Sequence, residues 1–168
     1  MSGSIENRAL GAAEHIGDHE RILTWQTCQA MLPLVRHIAR DIVSLHQLLL
    51  LQRRELEDLD HKRRTLAWVQ RARRYQLHEE IAANEANLKA VIQELEGLGL
   101  ALLDEQVGLI GFPTLVNQRR AFFCWQPEEP AVGYWNYAGD FVRRPVPEEW
   151  TRPESEPRMR SRSRQRKK

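Results

Sequence analysis

From Met31 onward, one set of positions recurs in alternating steps of four and three: Met31, Val35, Ile38, Ile42, Leu45, Leu49, Gln52, Leu56, Leu59, Arg63 and Leu66, all apolar except Gln52 and Arg63. An average step of 3.5 residues nearly matches the α-helical turn, so the stripe stays on one face and predicts a long helix with a coiled-coil seam. A second run follows at Leu77, Ile81, Asn84, Leu88, Val91, Leu95 and Leu98, in a different phase. The slip between Leu66 and Leu77 is what a turn between two antiparallel helices produces, although no Gly or Pro marks it and one continuous helix with a stutter would leave a similar trace. Thr24 is placed to cap the first helix, and Gly97 and Gly99 to end the second. Pro33 should kink the first helix and leave a short leading arm. Asn84, the lone amide in its seam, either fixes the register or lies near solvent.

Beyond Gly99 the period changes. Leu100–Asp104, Val107–Phe112, Arg119–Gln126 and Ala131–Tyr137 are short, aromatic and β-branched, with turn-prone stretches between them, and predict a small antiparallel sheet. A hairpin across Pro127–Pro130 would set Phe123 beside Tyr134 and Phe122 beside Trp135. The fold expected is therefore α+β: residues 1–22 a flexible leader, 23–99 a helical hairpin, 100–147 a small sheet on the helices, and 148–168 a disordered basic tail.

Charge sharpens this division. Residues 152–168 hold eight Lys or Arg against two Glu, a net +6, within a chain whose total is +2. The body is thus mildly acidic, and the basic character belongs to the tail. No apolar run approaches the roughly 20 residues of a membrane span, and the first residues lack a secretory h-region, so a cytoplasmic location without a membrane is expected. Cys28 and Cys124 lie far apart in unlike contexts and are read as reduced, packed thiols.

The β region also carries a resemblance. Gly108–Pro113 (GLIGFP, with Phe112 and Pro113), Arg119, Cys124-Trp125, Trp135 and the Arg143-Arg144-Pro145 group, preceded by LTWQTCQAMLPLVRHI, are similar to the bacterial domain-of-unknown-function family 2203 across about residues 22–147. The resemblance implies a helical hairpin followed by a small β element, and no established activity. Members of that family commonly carry Asp where this chain has Gly111, and Trp-His where it has Trp135-Asn136. Those departures remove titratable groups and argue against catalysis here.

Chemistry elsewhere is sparse. There is no phosphate-binding Gly-rich loop, H-E-x-x-H, Ser elbow or EF-hand, so neither cofactor nor metal is expected. His15 and His19, four apart, lack a third ligand. Cys124 has no His near it in sequence to make a thiolate. Basic residues gather at the hairpin tip, Lys62 to Arg64 and Arg71, Arg73 and Arg74, with Trp68 and Tyr75 among them. That mixture suits phosphates and unpaired bases, as does the tail with Arg160, Arg162, Arg164 and Arg166. The leading expectation is nonetheless a non-enzymatic interaction or scaffolding module. Its exposed Leu48, Leu50 and Leu51 would pair with a second copy or a partner helix. Nonspecific nucleic-acid association is the first alternative. A small-ligand site among Arg119, Trp125, Tyr134, Trp135 and Arg143 is the second.

Overall fold

A computed structural model describes residues 21–152; the leader through residue 20 and the tail from residue 153, with Arg160, Arg162, Arg164 and Arg166, lie outside the described residues. Helix α1 runs Trp25–His61 and helix α2 Trp68–Gly97. The turn falls at 62–67, inside the phase slip, and Arg63 is an exposed turn residue. Thr24 caps α1 by accepting the Thr27 N–H at 3.3 Å. Pro33 leaves no separate arm: α1 passes through it as one element. At the far end, Gly99 (φ +78°) takes the left-handed position that closes α2. Its N–H bonds the Glu96 carbonyl at 2.9 Å and the Leu100 N–H reaches Leu95 at 3.3 Å, with both leucines buried.

The two apolar stripes face inward. Val35, Ile38, Ile42, Leu49 and Gln52 are buried on α1, and Leu77, Leu88 and Leu95 on α2. Near the base the same helices receive one face of a five-stranded antiparallel sheet ordered β1-β2-β3-β4-β5: β1 Ala101–Asp104, β2 Leu109–Val116, β3 Arg119–Trp125, β4 Tyr134–Tyr137, β5 Arg144–Pro145. Because side chains alternate across a strand, Ile110, Phe112, Phe123, Trp125 and Trp135 share the helix-facing side and join the core of α1 and α2.

Three details differ from the sequence reading. Strand β2 continues through Pro113 to Val116, because Pro113 lies past the end of β1, where no ladder bond needs its missing N–H. Its carbonyl instead accepts the Leu23 N–H at 2.8 Å. The β3–β4 register is one residue away from the expectation, pairing Phe123 with Trp135 and Phe122 with Asn136. The connection takes in Val132, whose burial holds the loop down and delays β4 until Tyr134. Finally, order extends past residue 147. Glu148–Thr151 form one helical turn, α3, whose Trp150 meets Phe123 edge-on at 6.1 Å and Trp135 at 5.3 Å. One large aromatic with two ring partners outweighs the polar composition around it.

Candidate functional site

The signature residues of the β region divide between the two faces of the sheet. Phe112, Trp125 and Trp135 are packed toward the helices, with the Trp125 indole N–H donating to the Glu129 carbonyl at 2.9 Å. Pro113 and Cys124 lie on the opposite face. There Gly111 is directly across from Cys124, and the Cys124 thiol donates to the Asn136 side-chain oxygen at 2.8 Å. Gly111 and Asn136, the two positions singled out in the sequence, therefore flank one thiol. Neither supplies a base: a Cβ on Gly111 would meet Phe122 at 2.9 Å and Leu103 at 3.0 Å, and the Asn136 amide is committed to Cys124 and the Asp140 carbonyl. Burial pushes the Cys124 thiol up to about 12, against the pull of Arg143, and does the same to Cys28. Both thiols are free and buried, the inert condition expected of packing cysteines.

The arginines of this region are engaged as well. Arg143 spans both Glu129 oxygens at 2.7 and 2.9 Å and stacks on Tyr134 at 4.4 Å; Arg119 lies over Tyr137 at 4.3 Å. Thus the proposed ligand-lining set of Arg119, Trp125, Tyr134, Trp135 and Arg143 does not converge on a common cavity: Trp125 and Trp135 point into the core, and the two arginines are stacked on different tyrosines.

At the hairpin tip the basic cluster splits. Arg73 bridges the helices, reaching both Glu55 oxygens at 2.8 and 3.0 Å and Glu80 at 3.0 Å, and Arg74 pairs with Asp60. These contacts hold the Glu55 and Asp60 carboxyls below the ordinary range, chiefly through the hydrogen bonds from the two guanidiniums. Glu80 also receives Gln52 at 3.1 Å and Gln76 at 2.8 Å, and Gln52 accepts from Asn84 at 2.9 Å. Asn84 is therefore a cross-helix partner of the polar seam position Gln52. Arg71 has no such partner among the described residues. The surrounding apolar side chains are open, with Trp68 75%, Val69 70% and Tyr75 67% exposed. Sequence spacing had placed both rings at the tip, but their exposure followed only from the geometry of the turn.

Two grooves run along the hairpin. One, of about 620 Å³, lies between α1 and α2 with Leu49, Leu88 and Ile92 as floor, Lys89, Gln93 and Glu96 on its α2 rim, and the His46–Glu105 contact at 2.7 Å closing its base. The other, about 380 Å³, is lined by Leu45, Leu48, Asn87 and Val91. Leu48, Leu50 and Leu51 are exposed as expected. They do not form one stripe, however: at 100° per residue Leu50 points about 160° away from Leu48. Among the described residues no group of three His, Cys, Asp or Glu could hold a metal ion, and no helix is long and apolar enough to cross a membrane.

Residues 21–146 fit the profile of a family described as Uncharacterized conserved protein (DUF2203). No curated protein and no solved structure matches the chain.

Proposed function

The chain belongs to the family of uncharacterised conserved proteins DUF2203, and from that premise we propose that it is a non-enzymatic, cytoplasmic interaction module that presents its helical hairpin to another protein. The observation that carries this reading is the contrast between the two ends of the molecule. Around the sheet, the thiols and Arg119, Arg143 and Arg144 are packed or paired, and the openly exposed apolar side chains are chiefly Phe141 and Val142 of the β4–β5 loop. At the tip, Trp68, Val69 and Tyr75 stand open beside unpaired Arg71. Trp, Tyr and Arg are the side chains that dominate binding energy at protein interfaces, the rings because they remove a large surface from water at small entropic cost and Arg because its planar guanidinium makes several directed hydrogen bonds. Arg73 and Arg74 contribute little to a nucleic-acid surface here, since their charge is already matched by Glu55, Glu80 and Asp60.

The test is cross-linking and mass spectrometry of the full chain in native extract, wild type against a Trp68→Asp/Tyr75→Asp variant whose fold is checked by circular dichroism. The cross-linked protein set should shrink to background in the variant. An identical set with both rings gone would overturn the reading.

A further inference from the structure

One face of α2 carries five exposed residues at steps of seven, Trp68, Tyr75, Ala82, Lys89 and Glu96, the last two on the rim of the larger groove. Seven is also the period of the buried seam, so the row runs beside the seam at a constant offset. Its order is antisymmetric about Ala82, with aromatics toward the tip and a cation and an anion toward the base. The Lys89 and Glu96 side chains have no ion-pair or hydrogen-bond partner among the described residues.

We infer that this face of α2 binds the same face of a second copy, antiparallel, about a two-fold axis at Ala82. This rests on the interaction reading above and names its partner. In such a pair each residue meets the one whose number completes 164. Tyr75 lies against the Lys89 side chain of the other copy, and Trp68 against its Glu96. Ala82 meets its own counterpart, where small side chains allow close approach.

An antiparallel two-fold places like flanks of the two helices together. Arg71, on the flank that borders the larger groove, therefore reaches toward Glu96 of the opposite copy. Trp68 comes down at the open end of that groove, beside Ile92 and Gln93. The charge pattern along α2 agrees. With Arg73 and Arg74 already matched within the hairpin, Arg71 is the unpaired arginine of its first third among the described residues, while Glu94 and Glu96 lie unpaired near its far end. Reversal of one copy sets that arginine against the acidic end, whereas a parallel pair would set like against like. The last turn of α2 holds no basic residue of its own to offset the carbonyl end of the helix. Arg71 from a second copy supplies one. The contact is isologous, so it closes at two copies.

The experiment is sedimentation velocity of the full chain, alone and as variants. Wild type should form a dimer. Arg71→Glu and Glu96→Arg should each weaken self-association by about tenfold or more, since every substitution acts twice across a two-fold. An equimolar mixture of the two variants should regain the dimer, because both mixed contacts then join opposite charges. Glu96→Arg also places a cation at a helix C-terminus, which favours the fold and separates lost association from lost structure. A monomer at every concentration, or a mixture that does not recover, overturns the inference. If monomers persist while the Trp68→Asp/Tyr75→Asp variant still loses its cross-linked proteins, the interaction reading stands and only the identity of the partner fails.

Discussion

The two-residue turn between β2 and β3 is made by one residue suited to it and one that is not. Asn117 (φ +52°) and Gln118 (φ +60°) join β2 to β3 as a two-residue hairpin with both central residues in the left-handed region. Asn tolerates that region because its short amide bonds locally, and here it also donates to the Tyr137 hydroxyl at 3.3 Å. Gln has no such compensation, and a side chain with a Cβ at that φ costs about 1 kcal/mol relative to its normal basin. Gln118→Gly should therefore stabilise the protein, raising the calorimetric melting temperature by about 2–4 °C. A fall would mean that the exposed Gln118 side chain contributes more than its backbone strain removes. By contrast, Gly108 (φ +65°) has no room for change: a Cβ there would come within 2.8 Å of Val43 and 3.1 Å of the Ala39 carbonyl oxygen. Gly108 thus marks where the β1–β2 turn comes close against α1.

At the scale of elements, the hairpin is held differently along its length. Near the base its seam is apolar and covered by the sheet. From Gln52 and Asn84 outward, Leu77 and Leu66 are still buried, but polar contacts join them: Gln52, Asn84, Glu80, Arg73 and Glu55, with the Arg74–Asp60 pair beyond. Glu55 and Asp60 have folded-state pKa values below their ordinary 4.5 and 3.8, so they hold fewer protons folded than unfolded across that window. Their stabilisation is complete above it and is lost as the pH falls through the depressed values. On acidification the helical carbon shifts of residues near the tip should therefore weaken before those near Val35 and Leu95 in NMR spectra. A simultaneous loss along both helices would refute this gradient. The alternation of apolar residues made both helices legible in the sequence, because a 3.5-residue period survives any choice of partner. Burial of Gln52 was not legible, since it needs Asn84 and Glu80 brought over from the other helix. The β3–β4 register was missed for a similar reason: it is set by Val132, a loop residue whose neighbours come from α1 rather than from the strands. The candidate site was legible only as a set of residue types. Their division between two faces of a sheet, and the pairing of Arg143 with Glu129, depend on that register.

On the scale of the whole molecule, the chain closes at the base. Gln26 donates to the Arg152 carbonyl at 2.7 Å, Trp25 to Val132 at 2.8 Å and Arg36 to Pro130 at 3.3 Å, so the start of α1 gathers the end of the described chain and the β3–β4 loop. Trp150 completes this closure against Phe123 and Trp135. The 37 residues of α1 separate the base from the tip by about 55 Å, so Arg152, where the described chain ends, lies at the opposite end from Arg71 and the exposed rings. Two truncations should therefore behave differently. Deletion of residues 153–168 should leave both the melting temperature and the self-association of the hairpin unchanged. Deletion from residue 148 should strip Trp150 from its two ring partners and destabilise the fold by about 2 kcal/mol, less than the roughly 3–5 kcal/mol of a fully buried Trp because this one is half-buried. Denaturant unfolding of both forms beside Trp150→Ala decides the matter. If Trp150→Ala reproduces the longer deletion, the closing contact is that single ring; if the shorter deletion alone destabilises, residues after 152 take part in the fold.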